Sequence, residues 1–236
     1  MELTRNRSLA PNQFELFDDF LAYTDTQLWT KTDGDAGASV AVDGDGVGGL
    51  LTLTTGATDN NEAYIETTNE LFKIVAGKEI ELEARLTFTE ANTDDANVAF
   101  GVIDAPGANT LVDDGAGLKT TASGAAIFKV DGGTVWKTFS SKSTTQTITT
   151  SKTTAGGAYQ TLKILIRPRD LVTADVTFFV DGAQLQDTNS SAGQPDISHS
   201  ITYSSATEMA VFCGVKAGGA NSEVVNLDYI RVTAVR

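Results

Sequence analysis

The sequence predicts an all-β protein made of two antiparallel sheets packed face to face, and three observations carry that prediction. Through the last third, YQTLKILIRP, DVTFFVDGAQL, EMAVFCGVKA and VVNLDYIRVTAV follow one another as alternating or apolar runs, each cut off by Gly, Asp, Asn or Pro. Period-2 alternation puts one face of a strand inward, and the turn residues separate the strands. Thr makes up about one residue in seven, which suits pleated, half-solvated surfaces. Helical periodicity is sustained nowhere along the chain.

Residues 1–13 are polar, carry Arg5 and Arg7, and contain Pro11, so they are expected to form an extended arm ahead of one sandwich domain over residues 14–236. FELFDDFL opens that domain as a strand or a short turn, followed by Trp29 in QLWTKTDGDAG. SVAVDGDGVGGLLTLTTG reads as a hairpin across a glycine-rich turn, and NEAYIETTN, IELEARLTFTE and NVAFGVIDAPG as three further strands. AAIFKVDGGTVWKTFSS is a second hairpin around Asp131-Gly132-Gly133, where Gly supplies the positive φ that the turn needs. TQTITT alternates inside a Ser/Thr/Lys-rich stretch and reads as an exposed strand. The boundary candidate at 154–157 leaves neither flank long enough for a sandwich of its own, so one domain is expected.

A chain of 236 residues buries roughly 70–75% of its unfolded surface and needs no cross-links to hold a core. Its single cysteine, Cys213, lies in the apolar run AVFCGV and is expected to be a small buried hydrophobe. Its single histidine, His199, is placed in a Ser/Asp-rich loop, so no disulfide and no Cys/His metal cluster is expected. A net charge of −14 argues against nucleic acid as a partner, because phosphate binding needs a basic stripe. No apolar run approaches a membrane span, and MELTRNRSLAPNQFELF has no apolar core of a secretory signal, so the chain is expected to be made in the cytoplasm without a signal peptide and either to stay there or to leave by another route such as cell lysis.

The order of these strands resembles the concanavalin A-like (laminin-G-like) jelly rolls. The residues that carry the resemblance are Asp18-Asp19-Phe20 followed by Trp29, a strand ending Phe178-Phe179-Val180-Asp181-Gly182, and a closing strand Val225–Val232 of the type Val-x-Leu-Asp-Tyr-Ile-Arg-Val. The resemblance implies a two-sheet jelly roll from about residue 14 onward, and it speaks to fold rather than to activity.

That superfamily includes glycoside hydrolases whose two carboxylates alternate on one strand. Glu79-Ile80-Glu81-Leu82-Glu83 mimics the pattern, yet it precedes VAFGVID, whereas the resemblance places the catalytic strand after that element. AAIFKVDGG, which stands in the catalytic position, has no glutamate. The three glutamates are therefore expected on the wet face of an amphipathic strand. With His199 judged to stand alone as a base, and with no Gly-x-Ser-x-Gly or Walker pattern, no enzyme is expected.

No cofactor is expected. The acidic turns Asp33-Gly34-Asp35, Asp43-Gly44-Asp45-Gly46 and Asp113-Asp114-Gly115 leave calcium as an alternative. The EF-hand order fails, because no Glu stands twelfth from Asp33 or Asp43, and hairpin chemistry accounts for the pattern.

An acidic, Thr-rich sandwich with a basic arm is similar to phage capsid decoration (cement) proteins. By that analogy the chain is expected on a virion surface. Arg5, Arg7, Leu9 and Phe14 would contact the major capsid protein or copies of the chain itself, a trimer among them. The alternative is a glycan-binding or adhesion module of a phage tail or fibre, with Trp136, Tyr159 and Tyr203 as candidate stacking rings.

Overall fold

The computed structural model describes residues 12–188 and 196–235. Eighteen strands are found there: β1 (Gln13–Asp18), β2 (Trp29–Thr32), β3 (Ser39–Val42), β4 (Leu51–Thr54), β5 (Glu62–Thr67), β6 (Ile80–Thr89), β7 (Ala96–Ile103), β8 (Leu111–Val112), β9 (Gly117–Leu118), β10 (Gly124–Lys129), β11 (Val135–Lys142), β12 (Thr145–Thr154), β13 (Gln160–Pro168), β14 (Thr173–Val180), β15 (Ala183–Gln184), β16 (Ser198–Thr202), β17 (Ala210–Ala217) and β18 (Val224–Val235). A nine-stranded sheet runs β15-β14-β13-β6-β18-β4-β3, with β1 on β18 and β16 on β14; a seven-stranded sheet runs β12-β11-β10-β7-β17-β5-β2. Every strand pair in both sheets is antiparallel.

The two sheets differ in what covers them, and their sequences differ accordingly. Strand β6 alternates strictly, with Ile80, Leu82, Ala84, Leu86 and Phe88 in the core and Glu81, Glu83, Arg85 and Thr87 facing out. Such alternation marks a sheet with one face in water. Strands β7, β10 and β17 are buried along their whole length. The reason is a second apolar layer on the outer face of the seven-stranded sheet. Leu111, Leu118 and Ala122, from the segment between β7 and β10, pack over Tyr64, Phe128, Phe139 and Phe212.

A buried cation pins that segment. Lys216 Nζ donates to Asn109 Oδ1 at 3.1 Å and to the Leu111 carbonyl at 3.0 Å, and pairs with Asp113 at 2.5 Å and Glu62 at 3.4 Å. Glu62 in turn accepts the Asn109 N–H at 2.9 Å, and the Tyr64 hydroxyl accepts the Leu111 N–H at 3.1 Å. Every donor of the buried ammonium group thus has a partner, as burial of a charge requires.

The residues that carried the resemblance have structural work. Asp18 accepts the Phe20 N–H at 2.8 Å through one oxygen and the Trp29 indole N–H at 2.8 Å through the other. This closes the turn after β1, where Phe20 sits at φ 53°. Asp181 and Gly182, at φ 51° and 79°, form the tight β14–β15 turn that favours Asp-Gly. Asp228 is the extra residue of a bulge in β18, between the register positions Leu227 and Tyr229. A bulge re-aims a side chain, and here the Asp228 carboxylate meets Arg85.

Candidate functional site

The outer face of the nine-stranded sheet is the open one, and its cross-strand registers assemble a patch. In one row Phe17 of β1 faces Arg231 of β18, Arg231 faces Glu83 of β6, Glu83 faces Lys163 of β13, and Lys163 faces Phe179 of β14. The adjacent row sets Tyr229 opposite Arg85, and Arg85 opposite Thr161. Tyr159, just ahead of β13, lies against Arg85, whose guanidinium carbon is 4.1 Å from the ring centroid. Phe17 and Tyr229 have ring centroids 5.8 Å apart. Phe17 is 53% exposed and Tyr159 42%. Lys163 Nζ lies 5.7 Å from the Phe179 centroid.

Four cations along this face each hold a carboxylate. Arg85 binds Asp228, Lys163 binds Glu81 at 3.0 Å, and Arg231 binds Glu15 at 2.8 Å. Arg167 and Glu79 pair at 2.6 Å along the same face. The Tyr229 hydroxyl donates to Glu83 at 2.7 Å, and burial together with that carboxylate pushes the phenol up to about 12. Two residues before Tyr159, Gly157 lines an open polar pocket of about 560 Å³ with Thr89, Glu90, Asn92 and Thr93.

The sequence-derived site residues are distributed differently. Trp136 is fully buried, donates its indole N–H to Gln160 at 3.0 Å and meets Phe88 edge-on. Tyr203 is 6% exposed and its hydroxyl donates to the Asp170 carbonyl. Both are packing residues and offer no ring face to a ligand, so of the three candidate stacking rings only Tyr159 stands on an open surface. Arg5, Arg7 and Leu9 lie outside the described residues. Phe14 packs edge-on against Phe72 at 6.1 Å and joins the core.

His199 is corrected from loop to strand. It sits in β16, 4% exposed, with Ser140 Oγ 2.8 Å from Nδ1 and the Thr149 and Thr138 hydroxyls 3.0 and 3.2 Å from Nε2. The histidine therefore does not stand alone, but the Ser140 pair is sealed between the sheets. Burial holds its pKa down at about 4. Cys213 is buried, and its thiol is pushed up to about 12.

Five carboxylates of the acidic turns have partners within the chain. Asp33 pairs with Lys31, Asp35 accepts the Glu62 N–H, Asp43 accepts the Asp45 N–H, Asp113 binds Lys216 and Asp114 binds Asn60. Among the described residues no group of three or more His, Cys, Asp or Glu side chains is placed to hold a metal ion.

Two packed antiparallel sheets, with β18 closing beside β1 and β6, form a β-sandwich that superposes on solved jelly rolls. The fold is a concanavalin A-like jelly roll. An endo-1,3-beta-glucanase from Streptomyces sioyaensis superposes with a TM-score of 0.60 at 15% identity, over 97% of this chain and 98% of that one. The carbohydrate recognition domain of Emp46p in its potassium-bound form gives 0.60 at 11% identity, over 91% and 94%. The endo-beta-1,4-glucuronan lyase of the fungus Trichoderma reesei gives 0.55 at 14%, over 92% and 94%. No family model matches the sequence, and no curated protein matches it.

These likenesses overturn one expectation. An enzyme was excluded because no glutamate stands on the β10 strand and the Glu79–Glu83 run faces outward. The glucanase and the lyase are enzymes on this same fold, so the exclusion does not stand. Nothing in the comparisons bears on a virion role.

Proposed function

We propose that this chain is a carbohydrate-binding module that holds its ligand on the outer face of the nine-stranded sheet. The observation that carries the reading is the set of rings Phe17, Tyr229, Tyr159 and Phe179 that the strand registers gather on one open sheet face. Sugar rings present apolar C–H faces and a polar rim. Aromatic side chains flanked by carboxylates, guanidinium groups and hydroxyls match both parts. The lectin-like fold supports the same reading, because a carbohydrate recognition domain is among its structural neighbours. The middle of the outer face of the seven-stranded sheet is already covered by Leu111, Leu118 and Ala122, which favours the other sheet for a ligand.

Electrophoresis through gels containing soluble polysaccharide tests the proposal. Tyr159→Ala and Phe17→Ala are each expected to weaken retention about 5- to 10-fold, the value of roughly 1 kcal/mol per stacked ring. Their urea midpoints should stay near that of the parent, since both rings are exposed. Unchanged retention in both variants would remove this face from consideration.

A further inference from the structure

We infer that the ligand of this face is an uncharged polysaccharide chain lying across the strands; the inference rests on the glycan-binding reading. Two observations carry it, the pairing of charges and the direction of the row.

An anionic glycan is held by cations that are free to meet it. On this patch Arg85, Lys163, Arg231 and Arg167 each already hold a carboxylate: Asp228, Glu81, Glu15 and Glu79. Recruiting any of them to a uronate or sulfate would leave a carboxylate unpaired beside the new anion, and like charges at that range repel. The chain as a whole carries −14, which adds long-range repulsion against a polyanion. A cationic glycan faces the converse problem, since Glu81, Glu15, Glu79 and Asp228 are neutralised and Glu83, the carboxylate in the middle of the row, already accepts the Tyr229 hydroxyl. What remains for recognition is ring stacking, the Thr161 hydroxyl and the rims of the ion pairs. All of these serve a neutral sugar.

The row also sets a direction. Phe17 and Phe179 end a register that crosses β1, β18, β6, β13 and β14 at nearly right angles to the strands. Four strand intervals of about 4.8 Å make a track of about 19 Å. That is the length of an oligosaccharide of several residues rather than of one sugar, so affinity should rise with chain length until both phenylalanines are covered.

The test uses the whole chain in affinity gels with two neutral polymers, a β-glucan and a galactomannan, and two anionic ones, polygalacturonate and dextran sulfate. Retention by at least one neutral polymer is expected, lost in Tyr159→Ala and Phe179→Ala. It should change less than about twofold between about 20 mM and about 500 mM NaCl, because stacking is not screened. Retention confined to the anionic polymers and collapsing with salt would overturn the uncharged ligand and leave the glycan-binding reading in place. Retention by none of the four would overturn both.

Discussion

Lowering the pH through the range of an ordinary histidine is expected to destabilise this protein through one buried ring. His199 has no charged group holding it; desolvation alone lowers its pKa from 6.5 to about 4. The unfolded chain therefore binds a proton between those values that the folded chain refuses. Stability contributed by the neutral ring is complete above about pH 6.5, declines as the pH falls, and is gone below the folded value. The gap from 6.5 to about 4, at about 1.36 kcal/mol per pH unit, is worth about 3 kcal/mol in full. Between about pH 7.5 and about pH 5 the loss is about 2 kcal/mol.

Two carboxyl groups, the buried Glu223 and the part-buried Glu66, work in the opposite direction. Burial raises Glu66 and Glu223, with repulsion from Glu90 and Asp95 adding to the latter, so these groups favour the fold as they protonate. The measurement is accordingly a difference. Urea unfolding of the parent and of His199→Gln would be followed across that pH range, and the parent should lose about 2 kcal/mol more than the variant. Because the chain has a single histidine, its imidazole resonances are unambiguous in a proton NMR titration. A folded-state titration near 6.5, or parallel pH profiles for the two proteins, would refute the account of a sealed ring held by three hydroxyls.

Two further substitutions test the layer over the seven-stranded sheet. Lys216→Met should cost roughly 3–5 kcal/mol, because Glu62 keeps its buried charge and loses its cation; urea midpoints measure the loss, and hydrogen exchange should quicken first in 104–122. Gly214→Ala should cost about 3 kcal/mol or more, since the new methyl would fall 1.7 Å from the Tyr64 ring; a wild-type midpoint would mean that Tyr64 can move aside.

The nine-stranded sheet was legible in the sequence because its strands alternate. IELEARLTFT reads residue by residue as the in-and-out pattern seen in β6, and DVTFFV does so in β14. The hairpins at Asp131-Gly132 and Asp181-Gly182 were legible for the same local reason, positive φ at the turn. The second apolar layer was not legible. Its covering residues, Leu111, Leu118 and Ala122, are scattered through a Gly- and Asp-rich stretch with no period to mark them. The available signal lay in the strands beneath. ANVAFGVI and AVFCGVKA show no alternation, and an antiparallel strand without alternation needs cover on both faces.

The open face escaped for a different reason. Phe17, Arg85, Tyr159, Phe179 and Tyr229 come from five separate stretches, and only the strand registers bring them together. His199 was misplaced because Ser and Asp around it signal a loop, whereas SHSIT alternates and pairs with β14.

The pairing of β1 with β18 puts Gln13 directly opposite Val235, so the described chain enters and leaves at one corner of the molecule. Cross-strand neighbours lie only about 5 Å apart, so in a chain trimmed to 13–235 a few glycines would join Gln13 to Val235. The molecule is thereby suited to cassette engineering. It can be grafted into a surface loop of a host protein without stretching the host, or reopened at the exposed Ser143-Thr144 turn between β11 and β12 to give a permuted chain. In either form the row from Phe17 to Phe179 would stay in place, because it is built from strand registers and not from the order in which the strands are connected.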